Sequence, residues 1–479
     1  ASTGQLRATG TTPTAARILA AALDNQGSVT VDAATTVNAR DASTNAGSIV
    51  LGANGTMLWV FGAGSPTLVH TGALTIPTGR SWTTTGVGTF TMGSLSTVNG
   101  GGSYGSNTGA TTVLDVLPVL STVGADGGTL TLGAGVGLAG MALPLSAATV
   151  NGSGSITVSV GQSVLWRSST IAVPVQIVGT VDARGSTTIS GAITTTSTAL
   201  LKVTGEGFAS SAFLTSSFGF TNNGTIELDF VNGAGGQDAR LMMDSGTLLN
   251  APGGVIRSTA TIPTATRFLQ GGLINQGTIE LNATTSLVMQ SSSSNSGSLT
   301  VGSTGALTMV LGGGSDSFTN TGALGLPAGR TWTTIGNGTV NLNAGGTFTG
   351  GGSYASNSGA LTVFRMVPSL LAITSNGGTF NVTTGITLSG LQIDLTSANL
   401  NGAGAVTLAA GTSSLWRGSN IAVPVALAGT LDTRGATSIT GALTTTTSGI
   451  LRVTGEGFAS NGLLTVANGF INNGLIELD

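Results

Sequence analysis

The residues able to do chemistry are few, and most of them occur twice. Asp182, Arg184 and Glu206 lie close together in the chain, and the same three types return 250 positions later as Asp432, Arg434 and Glu456. Two carboxylates can divide acid and base roles across a glycosidic bond, so this set has the residue types of a glycosidase or lyase site. Such a site would have to exist in duplicate, however, and neither copy has a His or Tyr beside it to act as base. The expectation is therefore structural: these groups bridge neighbouring turns of a repetitive fold, with Arg184 paired to Glu206 and Arg434 to Glu456. The other charges are also placed in register, Glu227 with Glu477, Asp229 with Asp479, Arg7 with Arg257, Arg17 with Arg267, Arg80 with Arg330, Arg167 with Arg417 and Lys202 with Arg452.

Aromatic side chains are scarce enough to be informative. Trp166 and Trp416 sit in "LWR" beside a matched Arg, where they are expected to cover the end of a core or stack on that Arg. Tyr104 and Tyr354 lie in "GGSYGSN" and "GGSYASN". An exposed ring in such a loop could grip the face of a sugar, and packing over the edge of the fold is the competing reading. The runs "ITTTSTA" at 193 and "LTTTTSG" at 443 could form flat hydroxyl arrays of the ice-binding kind, although stacked Thr is also good strand chemistry. The Asn-X-Ser/Thr matches at Asn54, Asn151, Asn223, Asn282, Asn337 and Asn381 are mostly Asn-Gly turns.

The chain has no Cys, one His (His70) and one Lys (Lys202), which excludes thiolate metal sites and disulfides and leaves little for Schiff-base chemistry. No catalytic, cofactor-binding or metal-ligating residue is assigned. Only 7% of the 479 residues are charged, for a net charge of -3, against about 25% charged in ordinary globular domains. Neither nucleic acid nor an anionic membrane surface suits such a chain. A 40% hydrophobic content argues against disorder. No apolar run approaches the ~20 residues of a membrane span, and "ASTGQLRATG" lacks the form of a signal peptide.

The elements that hold these residues are repeats at two scales. Shifted by 250, residues 1–229 align with residues 251–479 without a gap, and nearly half of the paired positions are identical. Register kept over that length implies a stacked lattice that tolerates insertions poorly. Inside each module runs a shorter rhythm, an Asn-X-Gly turn followed by alternating apolar and polar residues, as in "NQGSVTV" at 25, "NAGSIVL" at 45 and "NQGTIEL" at 275. Alternation at period two makes a strand with one apolar face. Gly and Asn are expected to supply left-handed backbone at the corners. "TPTAARILAAALDNQG" at 12–27 has helical propensity, but Gly271 and Gly272 interrupt the matching segment, so strand and corner are expected in both copies.

The fold class expected is all-β, a right-handed parallel β-helix (β-solenoid) of about 20–26 residues per coil. Residues 1–250 would form a first solenoid module and 251–479 a second, truncated one, joined as one continuous rod on the order of 100 Å long. The pattern in "NNGTIELD", "NQGTIEL" and "GTLLNAPGGVI" resembles the repetitive surface proteins of bacteria, the filamentous-haemagglutinin-like adhesins and autotransporter passenger domains. That resemblance implies an extracellular or cell-surface location and a non-catalytic role in adhesion, matrix or fibre building, with no cofactor. Open solenoid ends present unpaired strand groups, so end-to-end self-association or a longer array of the module is expected, and surface glycans are candidate partners. The alternative is a carbohydrate-binding or carbohydrate-cleaving β-helix of tailspike type. It requires a carboxylate cluster in one unduplicated groove, to which "GAGGQDARLMMDSG" at 233–246 comes nearest.

Overall fold

The computed structural model describes residues 4–10, 17–206, 211–231, 238–259, 265–456 and 461–479, and these contain strands and turns with no helix. The fold is a parallel β-solenoid in two compact units, Ala1–Ile226 and Glu227–Asp479. In the first, the strands Ser28–Val31, Ala34–Ala39 and Ser43–Asn45 make one coil, and Ser48–Leu51, Thr56–Phe61 and Thr67–His70 make the next. Val29 pairs with Ile49, Val37 with Trp59 and Asn45 with His70 (through Thr44 and Val69 alongside), all parallel. The second unit repeats the scheme, with Ile279 on Leu299, Leu287 on Met309 and Asn295 on Asn320. Most coils fall within the expected length, but Thr170 pairs with Thr188, a shorter step than the sequence rhythm suggests.

Alternation decides what is inside. In Thr56–Phe61, Met57, Trp59 and Phe61 are buried while Leu58 is exposed. Each buried row stacks on the row below, so the core is a set of ladders rather than a central cluster. Aromatic rings accumulate within them: Trp59 lies 6.2 Å from Trp82, which stacks 5.3 Å from Phe90. In the second unit Trp332 meets Phe348 and Tyr354 at 5.3 and 5.5 Å. Ring pairs at such distances add ~0.5–1.5 kcal/mol beyond the area they bury.

Many turn glycines do take the expected left-handed backbone, Gly246 (φ 77°) among them, but those of the Asn-X-Gly corners work by a different mechanism. Gly27, Gly47 and Gly72 are absent from the residues with positive φ, and among the described residues no Asn has positive φ either. The requirement is one of space. A Cβ at Gly47 would lie 2.0 Å from the carbonyl oxygen of Gly27, and one at Gly72 would lie 1.9 Å from that of Gly47. Successive corners therefore rest directly on each other's backbone. The doubtful segment at 12–27 is strand where it is described, at Arg17–Leu19 and Asp24–Asn25, with residues 12–16 outside the described set. Its counterpart Arg267–Asn275 is one strand that accommodates Gly271 at φ 127°.

Candidate functional site

The paired acids and bases come together on one outward face. Thr180–Arg184 pairs with Ser163–Arg167 on one side and Leu200–Glu206 on the other. Alternation points Asp182, Arg184 and Arg167 outward together. Arg184 donates to Asp182 Oδ2 (2.6 Å from Nη2) and to Glu206 Oε1 (2.5 Å from Nη1). Glu206 also accepts from Arg167 Nη2 at 2.7 Å, so one carboxylate ties three coils together. The hydrogen bonds that Arg184 donates to Asp182, aided by Glu206, hold its guanidinium above its ordinary pKa despite partial burial. The second unit reproduces the set: Arg434 meets Asp432 at 2.8 Å and Glu456 at 3.5 Å, and Arg417 joins Glu456. Both expected pairs form, and the third member, Arg167 or Arg417, was foreshadowed only by its matched position. In this arrangement a guanidinium fills the space between the two carboxylates, where a glycosidic bond would have to lie.

The tyrosines and tryptophans are interior. Tyr104 and Tyr354 are 2% and 0% exposed, which corrects the reading of a loop ring open to a sugar. They belong to the strands Ser103–Asn107 and Ser353–Asn357, whose alternation turns the ring inward. The Tyr104 hydroxyl bridges Thr84 Oγ1 (2.8 Å) and Thr112 Oγ1 (2.5 Å). Burial raises the Tyr354 pKa to about 12. Trp166 and Trp416 are fully buried and donate from Nε1 to the carbonyls of Leu143 (3.0 Å) and Ile393 (2.9 Å), while their neighbouring arginines point out. The Thr runs form no array: Thr194 lies between Gln176 and Thr221, and Thr444 between Ala426 and Ile471.

The recurring Asn residues build a buried row. The Asn of the turn motif faces inward, and its side chains hydrogen-bond from coil to coil. Asn25 Nδ2 donates to Asn45 Oδ1 (2.5 Å), and Asn45 Nδ2 to His70 Nδ1 (2.6 Å). In the second unit the row runs Asn250, Asn275, Asn295, Asn320 with contacts of 2.7, 2.6 and 2.7 Å. Burial lowers the His70 pKa to about 4. The recurrence of Asn every coil was visible in the sequence, but it reads equally well as turn chemistry.

Two grooves indent the outward faces. One, of about 490 Å³, lies over the first unit, where Gly105, Gly124, Pro144 and Leu165 form the floor and Asn107, Asp126 and Ser146 one rim. Its carboxylate, Asp126, stands three coil steps from Arg184 through Ser146 and Arg167, roughly 14 Å. That is too far from the Asp182 set for paired acid and base work. The other groove, of about 570 Å³ in the second unit, has Gln392, Asp394, Leu415, Asp432 and Arg434 in its lining. Asp394 and Asp432 occupy the same outward row with Leu415 between them, about 10 Å apart at two coil spacings. Asp394 replaces Pro144 of the first module, a mismatch that the repeat alignment could have flagged. Its oxygens accept from Leu415 N (2.8 Å) and Gln392 Nε2 (2.6 Å). Asp432 accepts from Arg434 and from Thr454 Oγ1 (2.8 Å).

In the stretch that came nearest to an unduplicated site, residues 233–237 lie outside the described set. Asp238 pairs with Arg240 at 2.8 Å, and the Arg240 guanidinium lies 3.9 Å over the Phe268 ring. Among the described residues there is no cluster of three His, Cys, Asp or Glu fit for a metal ion, and no helix long and apolar enough to cross a membrane. No protein-family model matches the sequence, and no curated protein matches it.

Proposed function

We propose that the chain is a structural and adhesive module of an extracellular or cell-surface protein, working in a stalk, fibre or surface layer and without catalysis. One observation carries this reading. The acids and bases with the types for chemistry make the same coil-to-coil contacts in both modules, Arg167–Glu206–Arg184–Asp182 and Arg417–Glu456–Arg434–Asp432. Groups used identically twice to lock neighbouring coils serve the lattice. The resemblance to repetitive exported surface proteins, with which a Cys-free chain agrees, supports a location outside the cell. Self-association with further copies of the module, and contact with surface glycans, belong to the same proposal.

A second reading has its own observation, the unduplicated Asp394–Asp432 pair in a groove of about 570 Å³. Their backbone spacing of about 10 Å lies just beyond the carboxyl separation of about 6.5–9.5 Å used in inverting glycoside hydrolysis. All four oxygens already accept protein hydrogen bonds, which favours fixed acceptors over a proton donor. The two readings separate in one experiment. The chain displayed on a non-adherent cell should promote attachment or autoaggregation, and the purified chain should release no reducing ends from a polysaccharide panel. Release of reducing ends that Asp394→Asn abolishes would overturn the first reading in favour of the second.

A further inference from the structure

The face opposite in register to none of the features above carries a pattern that the linear sequence hides. Thr67, Thr89, Thr111 and Thr129 are successive Cα partners on four consecutive coils. Thr149, Thr170, Thr188 and Thr215 continue the same row. All eight side chains point outward, those of Thr67 and Thr170 exposed and the rest half-buried. None of the eight hydroxyls has a hydrogen-bond partner within the described protein. Two residues further along each strand, Val69, Thr91, Val113 and Thr131 form a second column. Neither column contains a charged residue.

From this geometry we infer that the first unit has an ice-binding face. Rungs repeat at ~4.8 Å across the strands and columns at ~6.7 Å along them. The two spacings approximate the oxygen repeats within and between layers of hexagonal ice. Thr is stiff at χ1 in a strand, so hydroxyls and methyls are presented as a fixed grid and little entropy is lost when water orders against it. The hydroxyls of the first column anchor lattice waters while the Val and Thr methyls leave their neighbours caged; in the second column the Thr131 hydroxyl is held by Asn151 Oδ1 (2.7 Å). Strand propensity does not explain the row, because the second unit folds the same way with Leu361, Asn399 and Asn420 among the equivalent positions. The inference goes beyond the adhesive reading and does not depend on it.

The second unit supplies the test substitutions. The full 479-residue chain is compared with a Thr111→Leu/Thr149→Asn double variant, which installs the residues found at 361 and 399, and with Thr379→Leu as a control in the second unit. Ice faceting, thermal hysteresis and partition into a growing ice front are measured, with circular dichroism confirming the fold of each. The chain and the control should facet ice, and the double variant should show a several-fold smaller hysteresis. A folded chain that leaves ice growth unaltered would overturn the inference. So would a double variant as active as the parent, or retention on crystalline cellulose or chitin without retention in ice.

Discussion

His70 ends the Asn row of the first unit, where the second unit has Asn320, and this difference should make the first unit acid-sensitive. Asn25 donates to the Asn45 oxygen, so Asn45 presents its NH2 to His70, and Nδ1 must accept. A proton on Nδ1 would set donor against donor in a fully buried site. The folded-state pKa is about 4 against an ordinary 6.5. Because the folded state binds fewer protons than the unfolded one between those values, the stability of the first unit is complete above the ordinary value. It falls as pH drops from there towards 4. From pH 7.5 to pH 5 the loss is about 2 kcal/mol, rising to about 3 kcal/mol at pH 4. The chain has one His, so its imidazole resonances need no assignment. An NMR titration follows them directly, while hydrogen exchange of the amides from Asn45 to Phe90 reports local opening. His70→Asn copies the second unit and should remove the acid sensitivity above pH 5. An imidazole that titrates near 6.5 in the folded chain, or an unchanged acid loss in His70→Asn, would refute the argument.

Four further outcomes follow from the geometry. Gly47→Ala sets a Cβ 2.0 Å from the Gly27 oxygen and should cost at least ~3 kcal/mol by chemical denaturation, well beyond the ~1 kcal/mol helix and strand scales assign to such swaps. Gly135→Ala, with open space around it and φ 79°, should cost only ~1–2 kcal/mol. Asn275→Ala removes a donor and an acceptor from a buried row and should cost ~2–5 kcal/mol, with exchange protection lost from the coils on both sides. Glu206→Gln weakens two ion pairs to partly exposed arginines, so the expected cost is ~1 kcal/mol, shrinking in high salt; a loss above 3 kcal/mol or indifference to salt would contradict that placement.

The sequence alone reveals the class of fold because a period of two within strands and a repeat of about one coil leave few alternatives to a solenoid. Arg184 and Glu206 could be paired from their spacing, since charge matched in both modules and one coil apart must share a face. Arg167 could not, because its partner lies two coils away and nothing local marks the reach. The turn residues were located correctly and explained in part: glycines such as Gly246 do take positive φ, whereas Asn faces the core, and Gly27, Gly47 and Gly72 are demanded by the approach of a neighbouring backbone that only the stack creates. Tyr104 shows the same limit. "GGSYGSN" reads as a loop from its glycines, yet the strand forms because Trp82 and Val123 flank the ring from the coils on either side. The threonine row is the extreme case, with one Thr per coil at uneven intervals that average composition and local runs both conceal.

The Asn row also gives the stack a sense of direction. In both units every Nδ2 donates to the next residue along the chain, from Asn25 to Asn45 to His70 and from Asn250 through Asn275 and Asn295 to Asn320. A coil that extends such a row has to offer an acceptor to the amide before it, and a coil offered upside down would meet NH2 with NH2. Were such a row carried across a contact between copies, two-fold pairing would set NH2 against NH2 and only head-to-tail addition would keep it satisfied. Lengthening by whole, equally oriented coils keeps every buried amide satisfied, which is the same operation as the duplication written into the chain.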